Sequence, residues 1–145
     1  MKFTVEAVCV SSEKGIQKNE VDQVRLIKDF GIENDAHSGK GYRQVSFLPG
    51  EAIDGMKAEG LNLEPGAFGE NLVTRGIDWS EVEIGGKVHI GEAELFITQK
   101  GKECHSHCAI YYQAGRCIMP EMGIFARVVK GGIIHAGSSG DYRLR

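Results

Sequence analysis

Three of the four cysteines fall within fourteen residues, at positions 104, 108 and 117, with two histidines among them in Gly101-Lys102-Glu103-Cys104-His105-Ser106-His107-Cys108. Thiolates and imidazoles are tetrahedral zinc ligands, so Cys104, Cys108 and Cys117 with one histidine, His107, would fill a closed site. The spacing lacks the usual two-pair pattern, because Cys117 follows Cys108 only after nine positions. A second chemistry needs one cysteine alone. Lys100, Lys102, His105 and His107 surround Cys104, and cationic neighbours favour the thiolate of a nucleophile or sulfur carrier. A third reading packs Cys108 and Cys117 into a core, as cysteines outside disulfides often are. Cys9 lies in an apolar run and reads as core.

A second cluster is Asn34-Asp35-Ala36-His37 followed by Arg43-Gln44-Val45-Ser46. Asp35 and His37 are spaced to pair and orient an imidazole. Arg43 offers a planar fork for a phosphate or carboxylate. The alternative is a solvated loop entering a strand. Asn71 is either a ligand contact or an amide that satisfies a turn. Tyr111 and Tyr112 offer a stacking surface for a heterocycle, with one of such a pair expected in the core.

Short elements must position these residues. Phe3 to Ser11 is rich in β-branched residues and starts the fold as a strand. Lys14 to Asn19 is a polar connection. Val21 to Phe30 fits a strand followed by a turn, with a short helix as the alternative, and Gly31 to Gly41 reads as a loop. Arg43 to Leu48 is a strand, after which Pro49 is placed to begin a short helix that ends at Gly60. Pro65-Gly66 marks a turn within an irregular stretch. Glu70 to Thr74 reads as a strand and Asp78-Trp79-Ser80 as a single turn. Lys87 to Gly91 and Ala93 to Thr98 alternate and form a tight pair of strands. Cys104 to Gln113 has room for a helix, Ile124 to Val129 is open between helix and strand, and Ile133 to Ala136 and Asp141 to Leu144 are short strands. Strands of four to six residues without regular βα alternation predict a mostly β fold. The expected form is a small, curved, antiparallel β-barrel with a few short helices.

A chain of 145 residues buries about two thirds of its extended surface, enough for one core, so a single domain over residues 1–145 is expected. Glycine, at 20 residues, is nearly twice as frequent as usual and suits a chain that turns often. Seventeen basic against twenty acidic side chains leave a formal charge of −3, which argues against broad phosphate neutralisation and so against nucleic acid as the main partner. The sum hides an asymmetry, with residues 100–145 at +4 and residues 1–99 at −7. A small anionic ligand gains from such a field where folding gathers it. No run is long and apolar enough to span a bilayer, and no leader-like segment opens the chain, so a soluble cytoplasmic protein is expected. Phosphate-cradling loops, dinucleotide fingerprints, serine-hydrolase elbows and His-Glu-x-x-His are absent.

Five pieces in order carry a resemblance. They are Gly31 to His37, Arg43 to Leu48, Pro65-Gly66-Ala67-Phe68-Gly69-Glu70-Asn71-Leu72, Gly91 through Thr98-Gln99 to Cys104, and Gly123 to Gly132 followed by Gly137. Together they resemble the MOSC domain, named for the C-terminal part of molybdenum cofactor sulfurases, in its stand-alone form. The resemblance implies a barrel-like β fold that binds the molybdenum-bearing pterin cofactor (molybdopterin) or handles sulfur for molybdenum–sulfur chemistry. It implies Cys104 as the residue that carries sulfur as a persulfide or coordinates molybdenum. It aligns Asp35, His37, Arg43, Gln44, Ser46 and Asn71 with the cofactor site, to which Lys102 adds a cation. Asn34 and Ala36 stand where the family usually has Gly and Arg, so a cationic phosphate contact would fall to Lys40 or Arg43. The implied partners are the pterin cofactor with its terminal phosphate, a sulfur-donor protein and a molybdoenzyme acceptor. Two further functions are carried beside this one: a molybdenum-dependent reductase of N-hydroxylated compounds, and a non-catalytic protein with structural zinc.

Overall fold

Strand β1, Lys2–Val10, shows how the sequence builds two cores at once. Phe3 and Val5 point inward on alternate positions, and a bulge between Val5 and Ala7 then shifts the register. Past the bulge, Val8 still enters the first core while Ala7 enters a second. The computed structural model describes residues 1–102 and 117–144. The cysteine cluster from Cys104 to Cys108, with His105 and His107, lies outside the described residues, as do Tyr111, Tyr112 and the helix expected over Cys104 to Gln113.

After β1 come β2 (Asn19–Val21), β3 (Gln23–Ile27), β4 (Gly31–Ile32) and β5 (Val45–Pro49). Helix α1 (Gly50–Ala58) and β6 (Leu72–Arg75) follow, then a single 3-10 turn at Trp79–Glu81 capped by the Asp78 carboxylate, which accepts from the Ser80 amide. The hairpin of β7 (Lys87–Ile90) and β8 (Ala93–Lys100) comes next. A four-residue helix α2 (Met119–Met122), β9 (Ile124–Lys130), β10 (Gly132–His135) and β11 (Ser139–Arg143) complete the chain.

The main sheet runs β11-β7-β8-β9-β5-β6-β1-β2, and β11 also pairs with β1, closing seven strands into a barrel with β2 appended. Every pairing in it is antiparallel except β5 with β6, so the barrel is mostly antiparallel, as expected, with one parallel step. A parallel neighbour cannot be reached by a tight turn. Residues 50–71 therefore form a crossover outside the barrel. A second small sheet, β10-β3-β4, covers one side.

Inside the barrel, Val5, Phe47, Leu72, Ile90, Leu95, Ile97 and Ala126 are fully buried. Phe3 and Phe47 flank Trp79 at ring-centroid distances of 5.5 and 5.3 Å, and the Trp79 indole donates to Thr74 Oγ1. The second core lies between barrel wall and crossover, where Leu48, Val73 and Phe125 meet Ile53 and Met56 of α1 and Phe68 of the following loop. Alternation explains the division: Phe47 faces the barrel and Leu48 the crossover, and Leu72 and Val73 divide likewise. Pro49 ends β5 and caps α1 from outside the helix rather than starting it, and the helix stops just before Gly60, whose φ is +98°. Ile124 to Val129, open between helix and strand by sequence, is strand because Ile124, Ala126 and Val128 alternate into the barrel.

Candidate functional site

The polar connection after β1 and the glycine-flanked loop after β4 meet at the end of β1. Asn34 adopts φ +67°, a left-handed conformation that asparagine tolerates, and turns the loop back. The Ala36 amide donates to the Ser11 carbonyl, and the Ser11 amide donates to Asp35 Oδ1 at 3.1 Å. Asp35 Oδ2 accepts the His37 amide at 3.1 Å. Both oxygens of this buried carboxylate are thus held by backbone on two sides.

Lys18 completes the cluster. Its ammonium donates to Asp35 Oδ1 at 2.8 Å, to Ser11 Oγ at 3.1 Å and to His37 Nδ1 at 3.0 Å, and its side chain is wholly buried. Burial works to raise the Asp35 pKa, but the Lys18 hydrogen bond and charge, with the two amides, outweigh it and hold the carboxyl below its ordinary value. The His37 imidazole is driven the same way, down to about 4, first by burial and then by the Lys18 charge, with Lys102 and Lys14 adding to the effect and Asp35 opposing it. At neutral pH the ring is uncharged. An ammonium can only donate, so Nδ1 is the acceptor and the ring proton sits on Nε2. His37 keeps 30 % of its side chain exposed. The expected Asp35–His37 pairing is therefore made through the His37 backbone, with the carboxylate 3.8 Å from the ring, and it is Lys18 that fixes the imidazole.

The other aligned residues divide between surface and interior. Arg43 is exposed, with Nε donating to Gln99 Oε1 at 3.0 Å and the guanidinium 5.5 Å from the Phe125 ring centroid. Gln44 is buried and its Oε1 accepts the Val128 amide at 2.9 Å. Asn71 is wholly buried: Oδ1 accepts from the Ser46 amide and hydroxyl, Nδ2 donates to the Cys9 carbonyl, and its own amide donates to Ser46 Oγ. The amide of Asn71 thereby ties β1, β5 and β6 together, and Ser46 is turned into the same network.

Glu70 is also without exposed surface. Oε2 accepts the Gly66 amide at 2.9 Å and Oε1 the Phe68 amide at 3.0 Å. Burial raises its pKa to about 7 against these hydrogen bonds and the Lys18 charge. Cys9 is buried, and burial followed by the Glu70 charge pushes its thiol upward, so it stays protonated at neutral pH.

Of the cysteine cluster, Cys117 is within the described residues, half-buried against the second core. Among the described residues no three His, Cys, Asp or Glu side chains are gathered to hold a metal ion. Lys102 is described, and its positive charge adds to the lowering of the His37 pKa. A cleft of about 600 Å³ lies elsewhere, between the start of α1, Trp79, Lys100 and α2, and takes none of the aligned residues. Among the described helices none is long and apolar enough to cross a membrane.

Sequence reasoning missed Lys18 and Ser11. A lone lysine in a polar connection carries no periodic signal that separates a buried cation from a solvated one.

The MOSC domain family model matches residues 34–139. Among solved structures, the YUAD protein from Bacillus subtilis superposes with a TM-score of 0.80 at 18% identity, over 98% of this chain and 96% of that one. YiiM from Geobacillus stearothermophilus matches with a TM-score of 0.74 at 20% identity over 97% and 75%. YiiM from Escherichia coli matches with 0.69 at 23% identity over 100% and 71%. These likenesses are of fold. A comparison with curated proteins finds no match.

Proposed function

The chain belongs to the MOSC domain family, and from that premise we propose that it binds the molybdenum-bearing pterin cofactor and handles sulfur through Cys104. The observation that carries the proposal is the 3.0 Å contact between Lys18 Nζ and His37 Nδ1, made within range of the Lys102 charge. It keeps the imidazole neutral and its remaining proton on Nε2, a donor for an anion.

The residues fit an anionic group such as the terminal phosphate of the pterin. Lys18 neutralises Asp35, so no uncompensated carboxylate repels an anion. His37 Nε2–H donates and Lys102 and Lys14 add positive charge at the ring, while the exposed Arg43, just before β5 and against Gln99 and Phe125, is a further cation for the ligand. When bound, the cofactor supplies a metal–dithiolene centre that accepts sulfur.

Sulfur uptake needs only a thiolate and a persulfide donor. The Cys104 thiolate attacks the outer sulfur of the donor's persulfide, a new S–S bond forms at Cys104, and the donor's inner sulfur leaves as a thiolate. The exchange is balanced without an external oxidant. Lys102, two positions before it in sequence, favours the thiolate form of Cys104. Cys9, buried and protonated, serves as the internal control.

Native mass spectrometry of protein purified anaerobically, without reductant, from cells that make the cofactor tests this. A bound pterin mass, or a species about 32 Da heavier that is lost on thiol reduction, supports the reading if it is absent in Cys104→Ser and present in Cys9→Ser. Equal loss in both folded variants overturns the assignment of Cys104. One bound zinc with neither pterin nor labile sulfur replaces the proposal with a structural metal site.

A further inference from the structure

The residues of the crossover loop have no side chain in the Lys18–Asp35–His37 cluster, yet the loop meets it through backbone. The Lys18 amide donates to the Gly66 carbonyl at 2.8 Å. Gly66 has φ +92°, and a Cβ there would stand 2.1 Å from the Lys18 carbonyl oxygen. Two main chains therefore touch where only glycine fits. The Gly66 carbonyl also accepts the Gly69 amide, and Glu70 grips the Gly66 and Phe68 amides with its two carboxylate oxygens. Glu70 is wholly buried, and these contacts fix the loop from beneath.

We propose that Glu70 is a positioning residue: by fixing Gly66 it sets the backbone of Lys18, and through it the ammonium that holds the neutral His37 imidazole. Lys18 sits in a connection without regular structure, just before the edge strand β2, so the Gly66 carbonyl is its amide's anchor. An amide at position 70 retains one acceptor oxygen but sets an NH2 against one of the two loop amides. The loop then loses half of its grip. The functional meaning of this link rests on the proposed role of His37, whereas its test reads His37 itself and needs neither cofactor nor activity.

The experiment is nitrogen NMR of the His37 ring across pH in the unaltered protein, Glu70→Gln, Gly66→Ala and Ile90→Ala. The unaltered ring shows Nδ1 unprotonated and Nε2 protonated, with a depressed pKa. Both loop variants are expected to raise that pKa by about one unit or more as the ammonium withdraws. Ile90→Ala, a truncation inside the barrel, lowers stability and leaves the ring unmoved. A folded Glu70→Gln or Gly66→Ala protein whose His37 titrates as before overturns the proposal. Hydrogen exchange on the unaltered chain gives a reading that needs no variant. The amides of Lys18, Gly66 and Phe68 are expected to exchange as one group, and a Lys18 amide about tenfold faster than the other two also overturns it. A ring that follows Glu70 in a protein whose Cys104 never loads sulfur leaves this link standing and removes the sulfur-handling function.

Discussion

Lys18 Nζ and Asp35 Oδ1 stand 2.8 Å apart with both side chains wholly removed from solvent. Such a pair is costly to assemble, and its weight shows when one member is taken away. Lys18→Met leaves a buried carboxylate facing two amides and no cation. The expected loss is about 3–5 kcal/mol of unfolding free energy in urea. The double variant Lys18→Met/Asp35→Leu is expected to lose less than Lys18→Met alone, and an equal or larger loss would show that the charge is not the cause.

The pH profile of stability carries two opposed contributions. His37 is uncharged in the folded chain down to about 4 but takes a proton below 6.5 when unfolded. Its contribution is present above 6.5 and lost as pH falls toward 4. Glu70 keeps its proton in the folded chain up to about 7 but releases it above 4.5 when unfolded. Its contribution is present below 4.5 and lost as pH rises toward 7. Between 4.5 and 6.5 the slopes oppose, so stability is expected to change little. His37→Gln unmasks Glu70, and urea midpoints should then fall as pH rises through that window. A rise instead would reverse the assigned direction for Glu70.

Asn71 joins three strands through one side chain. In Asn71→Ala the Ser46 and Cys9 backbone groups lose buried partners, at an expected cost of about 1–3 kcal/mol. Thermal and urea unfolding measure it. A change within error would mean that water replaces the amide.

Arg43 is the converse case. Exposed, and held by Gln99 and the Phe125 ring, it contributes little to the fold. Arg43→Ala is expected to change stability by less than about 1 kcal/mol while lowering the fraction of protein that copurifies with pterin. Undiminished pterin content would remove Arg43 from the proposed contacts.

What the sequence made legible follows the range of the interaction. The β7–β8 hairpin is written in the alternation of Val88, Ile90, Leu95 and Ile97 around Gly91. Helix α1 is bounded by Pro49 and Gly60. The pairing of β1 with β11, which closes the barrel, joins Lys2 to Asp141 and has no local signature. The parallel step between β5 and β6 is equally silent, because strand direction is set by what the crossover packs against. In the site, Asp35 and His37 were marked by type and spacing, whereas Lys18 looked like solvated charge. Gln44 and Asn71 were marked by order in the chain, which does not tell a ligand contact from an amide that stitches strands. The structure turns both inward.

The one parallel pair among the described strands makes the Lys18 anchor depend on the crossover. Antiparallel neighbours such as β7 and β8 form from local contacts, but β6 reaches β5 only after the crossover has closed a long loop. The Gly66 carbonyl that receives the Lys18 amide lies on that crossover. Lys18 therefore gains its backbone anchor only once the crossover has closed. Until the crossover is in place the Lys18 amide lacks that partner, so the setting of His37 is completed by a segment far along the chain.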